Sequence, residues 1–184
     1  MSRSPLFETE RLYASLLTPE DRPLMCEQLQ DPQVMYAYEG AFDDAMVDAW
    51  LMKMLRRYEE EGCALYALRR KGDGVFVGQC GITLQQVEGR VLHEVGYLLS
   101  KRFWHQDYAT EAARAARDFA FESLNAPLVC ATIRVSNTAS EKVALRIGLK
   151  EELTFVKHYR GLVMPHKLYT LSREEWLSLG SLSR

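Results

Sequence analysis

The chain has 184 residues, long enough for one domain with a full hydrophobic core and too short for two. A hydrophobic fraction of 47% and a charged fraction of 26% fall in the ordinary globular range and exclude a disordered or fibrous chain. With 23 Lys plus Arg against 25 Asp plus Glu, a formal charge of -2 and no basic run, electrostatic capture of nucleic acid or of an anionic membrane is excluded as well.

No apolar run of signal-peptide length opens the chain, and no later window reaches the roughly 20 apolar residues that a bilayer span needs, so a cytoplasmic protein is expected. Cys26, Cys63, Cys80 and Cys130 are too far apart for a C-x-x-C site and read as reduced core thiols; the scattered histidines indicate no metal. Residues 12–17 read as a first strand. It stops at Thr18-Pro-Glu-Asp21, where Thr18 caps a helix, Pro19 suits its first position and Asp21 completes a capping box. That helix runs to about Gln30 and breaks at Asp31-Pro32. A loop through Met35 and Gly40 leads to a cap at Asp44 and a second helix, along which Val47, Trp50, Leu51, Met54, Leu55 and Tyr58 recur at helical spacing before Gly62.

The period then changes. Residues 63–69, 75–85 and 90–99 are β-like runs joined at Lys71-Gly-Asp-Gly74 and Glu88-Gly89, both hairpin turns. Residues 109–124 predict a helix with Ala112, Ala116, Phe119, Ala120 and Ser123 along one stripe, small enough to lie close on a sheet. A short strand over 128–135 feeds Asn137-Thr-Ala-Ser-Glu141, where Thr138 and Glu141 are expected to box the start of a helix over 139–147 that ends at Gly148. Residues 153–159 and 166–172 form a hairpin around Arg160-Gly161, and 174–184 a weak last turn. The predicted fold is α/β: one domain with a mixed, mostly antiparallel sheet of about seven strands and about four helices.

The informative stretch runs from Glu94 through Ala112, a strand, a short loop and a helix N-terminus whose free backbone N–H groups suit an anion. Every strand-loop-helix unit offers such groups, so the residue pattern carries the inference. Glu94-Val-Gly-Tyr97, then Trp104-His-Gln-Asp-Tyr-Ala-Thr-Glu-Ala112, then Asn137-Thr-Ala-Ser140 followed by Val143 and Gly148, resemble the GNAT acetyltransferases, in particular the branch with the ribosomal-protein alanine N-acetyltransferases. Supporting marks are Thr9-Glu-Arg-Leu12, Gly78-Gln-Cys-Gly81 and Arg173-Glu-Glu-Trp176, and the resemblance covers residues 7–176.

The resemblance implies a GNAT-like sheet splayed between its fourth and fifth strands, with the pantetheine arm of acetyl-CoA in the gap, paired to a strand edge. By position, the backbone of Tyr97, Leu98 and Leu99 would meet that arm. The loop His105, Gln106, Asp107, Tyr108, Ala109 and Thr110 would cup the pyrophosphate, and Asn137 and Ser140 would flank the thioester. The family's pyrophosphate pattern, Q/R-x-x-G-x-G/A, falls on residues 104–109. Ala109 fits, Trp104 is usual for the alanine branch, and Asp107 stands where glycine is expected. That carboxylate is expected either to cap the helix, competing with a phosphate for N–H groups, or to turn outward; it motivates the alternative of a degenerate domain serving as an acyl-CoA sensor or interaction module.

The implied reaction is direct acetyl transfer from acetyl-CoA to a primary amine in a ternary complex, without a metal. It needs a neutral amine, a polarised carbonyl and a proton for the departing thiolate. Glu94 is the candidate base, against the plainer reading of a solvated or ion-paired strand glutamate; His93 reads as structural. Ser140 is the candidate donor to the leaving sulfur, against a role in capping its helix. Backbone N–H groups near Leu98 would stabilise the oxyanion. The acceptor, a small-molecule or peptide amine, would lie among Tyr36, Tyr38, Glu39, His158, Tyr159 and His166, in a monomer or homodimer.

Overall fold

The computed structural model describes residues 5–159 and 161–181. Eight strands form one sheet: β1 (Phe7–Glu8), β2 (Leu12–Ser15), β3 (Leu65–Arg70), β4 (Phe76–Val87), β5 (Arg90–Leu99), β6 (Leu128–Arg134), β7 (Lys150–Tyr159) and β8 (Leu162–Ser172). Their order is β1-β2-β3-β4-β5-β6-β8-β7, antiparallel throughout except for the parallel pair β5–β6. Five helices accompany them: α1 (Arg22–Leu29), α2 (Asp44–Glu60), α3 (Tyr108–Glu122), α4 (Thr138–Arg146) and α5 (Arg173–Ser181).

Two elements exceed the sequence-based expectation. β1 is too short to show an alternating pattern, and it is recruited through Phe7, whose ring meets Tyr66 at 6.1 Å and Phe119 at 5.6 Å. The tail is a full helix instead of a weak turn. Ser172 and Glu175 form a reciprocal capping box at its start, and Trp176 stacks on Phe121 at 4.9 Å while donating its indole N–H to Asp118. Arg160 and residues 182–184 lie outside the described residues.

Other caps fall one residue from where they were expected. Asp43, not Asp44, accepts Met46 N–H at the start of α2, and Asn137, not Thr138, accepts Ser140 N–H at the start of α4. Glu141 is thereby released from capping and binds the Tyr169 hydroxyl and the Lys167 ammonium. The expected bond from Thr18 N–H to Asp21 opens a 3-10 turn, Pro19–Asp21, ahead of α1 rather than α1 itself, and the buried Asp21 carboxylate also pairs with Arg69.

The helices divide the sheet into two covered faces. α3 lies on one with Ala112, Ala113, Ala116 and Ala120 fully buried against Cys80, Ile82, Val95 and Val129; Ser123 is exposed, so the contact stripe turns toward Ala113 and Phe121 instead. On the other face Met25 and Leu29 of α1 and Val47, Leu51 and Met54 of α2 cover Leu65 and Ala67. Burial pushes the Cys63 thiol up to about 11 and the Cys80 and Cys130 thiols higher still, so these are packing groups rather than nucleophiles. Among the described residues no helix is long and apolar enough to cross a membrane.

β4 approaches β3 closely because residue 81 has no side chain: a Cβ there would lie 2.2 Å from the carbonyl oxygen of Ala64. A Cβ on Gly72, in the β3–β4 turn, would meet nothing within 4 Å. Gly81→Ala should therefore cost about 2–3 kcal/mol as overpacking and lower the melting temperature by roughly 4–10 °C, whereas Gly72→Ala should leave it unchanged. Thermal denaturation of the two variants followed by circular dichroism checks this.

Candidate active site

β5 and β6 touch as parallel strands only at His93↔Val129 and Glu94↔Cys130. Beyond Glu94 they separate, and residues 95–99 have no strand partner on that side. The Glu94 side chain sits at the fork. Its Oε1 accepts the backbone N–H of Thr132 at 2.9 Å and also the Thr132 hydroxyl, so a carboxylate replaces the β5 carbonyl that a continued ladder would have offered. Lys157 donates to Thr132 Oγ1 at 2.7 Å, which completes a chain from ammonium to hydroxyl to carboxylate.

Register decides which backbone groups of β5 face the gap. Ser100 N–H donates to Val77 O, and in an antiparallel ladder the residues that face a given neighbour alternate. Leu98 therefore turns its N–H and C=O to β4, where it pairs with Gln79, and Tyr97 and Leu99 turn theirs to the gap. The Leu99 carbonyl is taken by the Trp104 indole N–H at 3.0 Å.

Across the gap stands the first turn of α4. Asn137 holds it by accepting Ser140 N–H at 3.1 Å, and the Tyr97 hydroxyl spans from β5 to the Ser140 carbonyl at 3.1 Å. Burial raises the Tyr97 phenol well above the usual tyrosine range. Asn137 and Ser140 are thus brought opposite the free strand edge.

The gap ends at the start of α3. A 3-10 turn, Lys101–Phe103, leads into a loop in which His105 (φ 58°) and Asp107 (φ 61°) are both left-handed, a conformation that Asp tolerates better than most non-glycine residues. Asp107 occupies the N-cap position, yet its side chain caps nothing; its carboxylate faces Arg146 of α4 at 3.5 Å. Of the two positions expected for Asp107, the outward one is found, and no side-chain cap covers the opening N–H groups of α3. Around them His105, Gln106 and Asp107 are exposed, while Tyr108 and Thr110 are buried and Ala109 is half-buried. Gln106 donates to Arg102 O at 3.0 Å and braces the loop.

Thr9-Glu-Arg-Leu12 anchors this helix start from β1–β2. Glu111 accepts from the Thr9 hydroxyl, from Arg11 N–H at 2.9 Å and from the Arg11 guanidinium at 2.7 Å, and that guanidinium also lies 4.5 Å over the Tyr108 ring. A strand edge without a partner, ending at an uncapped helix N-terminus and faced by a second helix start, is a groove for an extended chain with an anionic end.

Comparison with known proteins agrees with this geometry. A family model described as an acetyltransferase (GNAT) domain matches residues 11–150. The chain belongs to the GNAT family of N-acetyltransferases. It is 34% identical over 150 residues to YkkB of Bacillus subtilis (strain 168), covering 81% of this chain and 87% of that one. It is 36% identical over 190 residues to the FsC-acetyl coenzyme A-N(2)-transacetylase of Aspergillus fumigatus, covering 95% of this chain and 79% of the relative. The fold is shared with a GNAT-family acetyltransferase from Bacillus anthracis at a TM-score of 0.78 and 23% identity, over 92% of this chain and 99% of that one.

On the α1/α2 face of this GNAT fold, the loop after α1 reaches across to β6. Glu39, left-handed at φ 63°, forms an ion pair with Arg134, so its carboxylate is already satisfied by a guanidinium rather than waiting for an amine. Tyr36 is an exposed residue whose partial desolvation raises its phenol against the opposing charge of Arg134. His166, beside Arg134 in register, has Nδ1 3.0 Å from Met164 O; burial lowers its pKa, and the Met164 bond and the Glu94 charge offset this only in part against Lys157 and Arg134. The side chains of His158 and Tyr159 fall outside the description. Thr132, Arg134, Lys157 and the Tyr97 hydroxyl escaped sequence reasoning, because each enters the site through strand register across distant segments.

An open cavity of about 520 Å³ between β1 and α3, bordered by Glu8, Arg114, Asp118 and Glu122, holds none of the predicted site residues. Volume alone does not mark a site; convergent polar groups do.

The Glu111 anchor generates a pH prediction. Burial opposes its charge, but the bonds from Thr9 and Arg11 outweigh this and hold its carboxyl below the usual range. A lowered folded-state pKa gives stability that is present above the unfolded value of about 4.3 and lost as pH falls through the folded one. Glu111→Gln should therefore be less stable than the parent at pH 7, with the difference shrinking below about pH 4; parallel urea denaturation at the two pH values measures it.

Proposed function

We propose that this enzyme moves an acetyl group from acetyl-CoA to a primary amine, a small molecule or a peptide, by direct transfer while both are bound. The observation that carries the reading is the free edge of β5 from Val95 to Leu99, lying between the fork at Glu94 and the uncapped start of α3. The relative named as an acetyl coenzyme A transacetylase supports the same donor. Outward-facing Asp107 leaves the α3 N–H groups to the pyrophosphate, so the departure from glycine does not favour a non-catalytic sensor.

In this reading the cleft-facing backbone of Tyr97 and Leu99 holds the pantetheine arm, and residues 105–110 hold the pyrophosphate. The amine enters from the α1/α2 face and attacks the thioester carbonyl, losing its proton to Glu94, whose Oε1 stays on Thr132. The carbon–sulfur bond breaks, and the departing thiolate takes a proton supplied through the Ser140 hydroxyl, with the Tyr97 phenol alongside. Backbone N–H groups at the free edge stabilise the oxyanion, and alignment of the bound pair contributes much of the rate.

Saturating acetyl-CoA, at one hundred times its Kd, should stabilise the protein by about 2.7 kcal/mol and raise its melting temperature by roughly 5–10 °C; a flat titration would overturn the reading. Glu94→Gln then separates the wedge from the base, because the amide oxygen still accepts the Thr132 N–H. Its melting temperature should hold while kcat falls at least about tenfold, most severely at low pH, where amine deprotonation is hardest. Unchanged pH–rate profiles would remove Glu94 from the chemistry.

A further inference from the structure

The proposed transfer makes no use of Gly78-Gln-Cys-Gly81, although its glutamine belongs to a run of buried polar side chains. Gln28 of α1 and Gln79 of β4 are both 0% exposed. Trp50 of α2 donates its indole N–H to Gln79 Oε1 at 3.0 Å, Gln79 Nε2 donates to Gln28 Oε1 at 2.7 Å, and Gln28 Nε2 donates to the carbonyl oxygen of Leu98. Room for that last bond exists because residue 78 is glycine: at φ 155°, a Cβ there would lie 2.3 Å from Leu98 O and 2.8 Å from Gln28 Nε2. Buried polar groups are costly unless satisfied, and here three elements cooperate to aim one donor at one carbonyl.

The Leu98 carbonyl and the Leu99 N–H belong to the same amide. By the ladder alternation β4 already gives that carbonyl a donor, so Gln28 is its second. Each bond accepted at a C=O polarises the amide and strengthens its N–H as a donor, by ~10–30% per bond. That N–H faces the gap at the end of β5 nearest the α3 loop. We infer that Gln28, held by Gln79 and Trp50, is a positioning residue that orients and polarises the Leu98–Leu99 amide so that Leu99 N–H grips the pantetheine arm of acyl-CoA. The inference rests on the acyl-CoA reading above. Trp50 also packs at 5.6 Å on Tyr38 and 5.8 Å on Phe42, so the donor strand and the loop carrying Glu39 share one anchor.

Calorimetric titration of the parent, Gln28→Met and Trp50→Phe with acetyl-CoA, CoA and adenosine 3′,5′-bisphosphate tests this. Gln28→Met should bind the first two roughly fivefold or more weakly. Adenosine bisphosphate lacks the arm and should change by less than about twofold. Trp50→Phe keeps an aromatic ring and loses only the indole N–H, and should shift the same two affinities in the same direction by less. In the free Gln28→Met protein the Leu99 amide proton should move upfield in the NMR spectrum. Equal weakening of all three ligands, or of none, or an unmoved Leu99 amide, would overturn the inference while leaving the acyl-CoA reading intact. Binding of no ligand by the parent would overturn both.

Discussion

The short contact between β5 and β6 is the constraint on which the rest of the molecule depends. Two neighbouring parallel strands would ordinarily continue their ladder, since unpaired backbone groups cost free energy wherever water is kept away. Here the ladder stops after Glu94↔Cys130, and the Glu94 carboxylate accepts the Thr132 N–H that the next step would have paired. The fork is thus locally satisfied rather than strained open, and the strand edge beyond it stays available to an extended ligand.

The reaction proposed above asks two jobs of Glu94 that pull in different directions. As a wedge it must remain an acceptor toward Thr132; as the proposed base it must take a proton. Both bonds to Thr132 use Oε1, so in the proposed reaction the amine's proton goes to the remaining oxygen and the fork stays intact. Lys157 stands behind Thr132, and Arg134 neutralises Glu39 nearby, so the α1/α2 face balances its charges internally. On the opposite face Tyr97 holds the first turn of α4, itself capped by Asn137, against β5, and Glu111 ties the start of α3 to the first hairpin. The walls of the cleft are therefore fixed by side-chain bonds between elements far apart in the chain.

Local chemistry made much of this legible in advance. Glycine turns, Pro19 and the change from helical to alternating period located most strands and helices, and the ordered motifs placed the α3 loop and the α4 start on the correct elements. The Ser172-Arg-Glu-Glu175 box was present in the sequence and marks α5, but the short polar tail around it read as a turn. Thr138 and Asn137 are both good caps, and only the geometry after β6 selects the asparagine. β1 and the Arg134, Lys157 and Gln28 contacts depend on pairing across tens of residues, for which one sequence contains no signal. Asp107 shows the same limit in a single residue: its backbone shape was predictable from residue type, while its outward turn toward Arg146 involves a residue of another helix.

The central claim is that the free edge of β5 is where acyl-CoA binds. Amide hydrogen exchange, resolved to single residues with and without acetyl-CoA, tests it most directly. The account predicts that Tyr97 and Leu99 exchange readily in the free protein and become protected on binding, together with Tyr108, Ala109 and Thr110, while Leu98 is already protected by β4. Protection confined to the surface between β1 and α3, or an unchanged Tyr97 and Leu99, would contradict it.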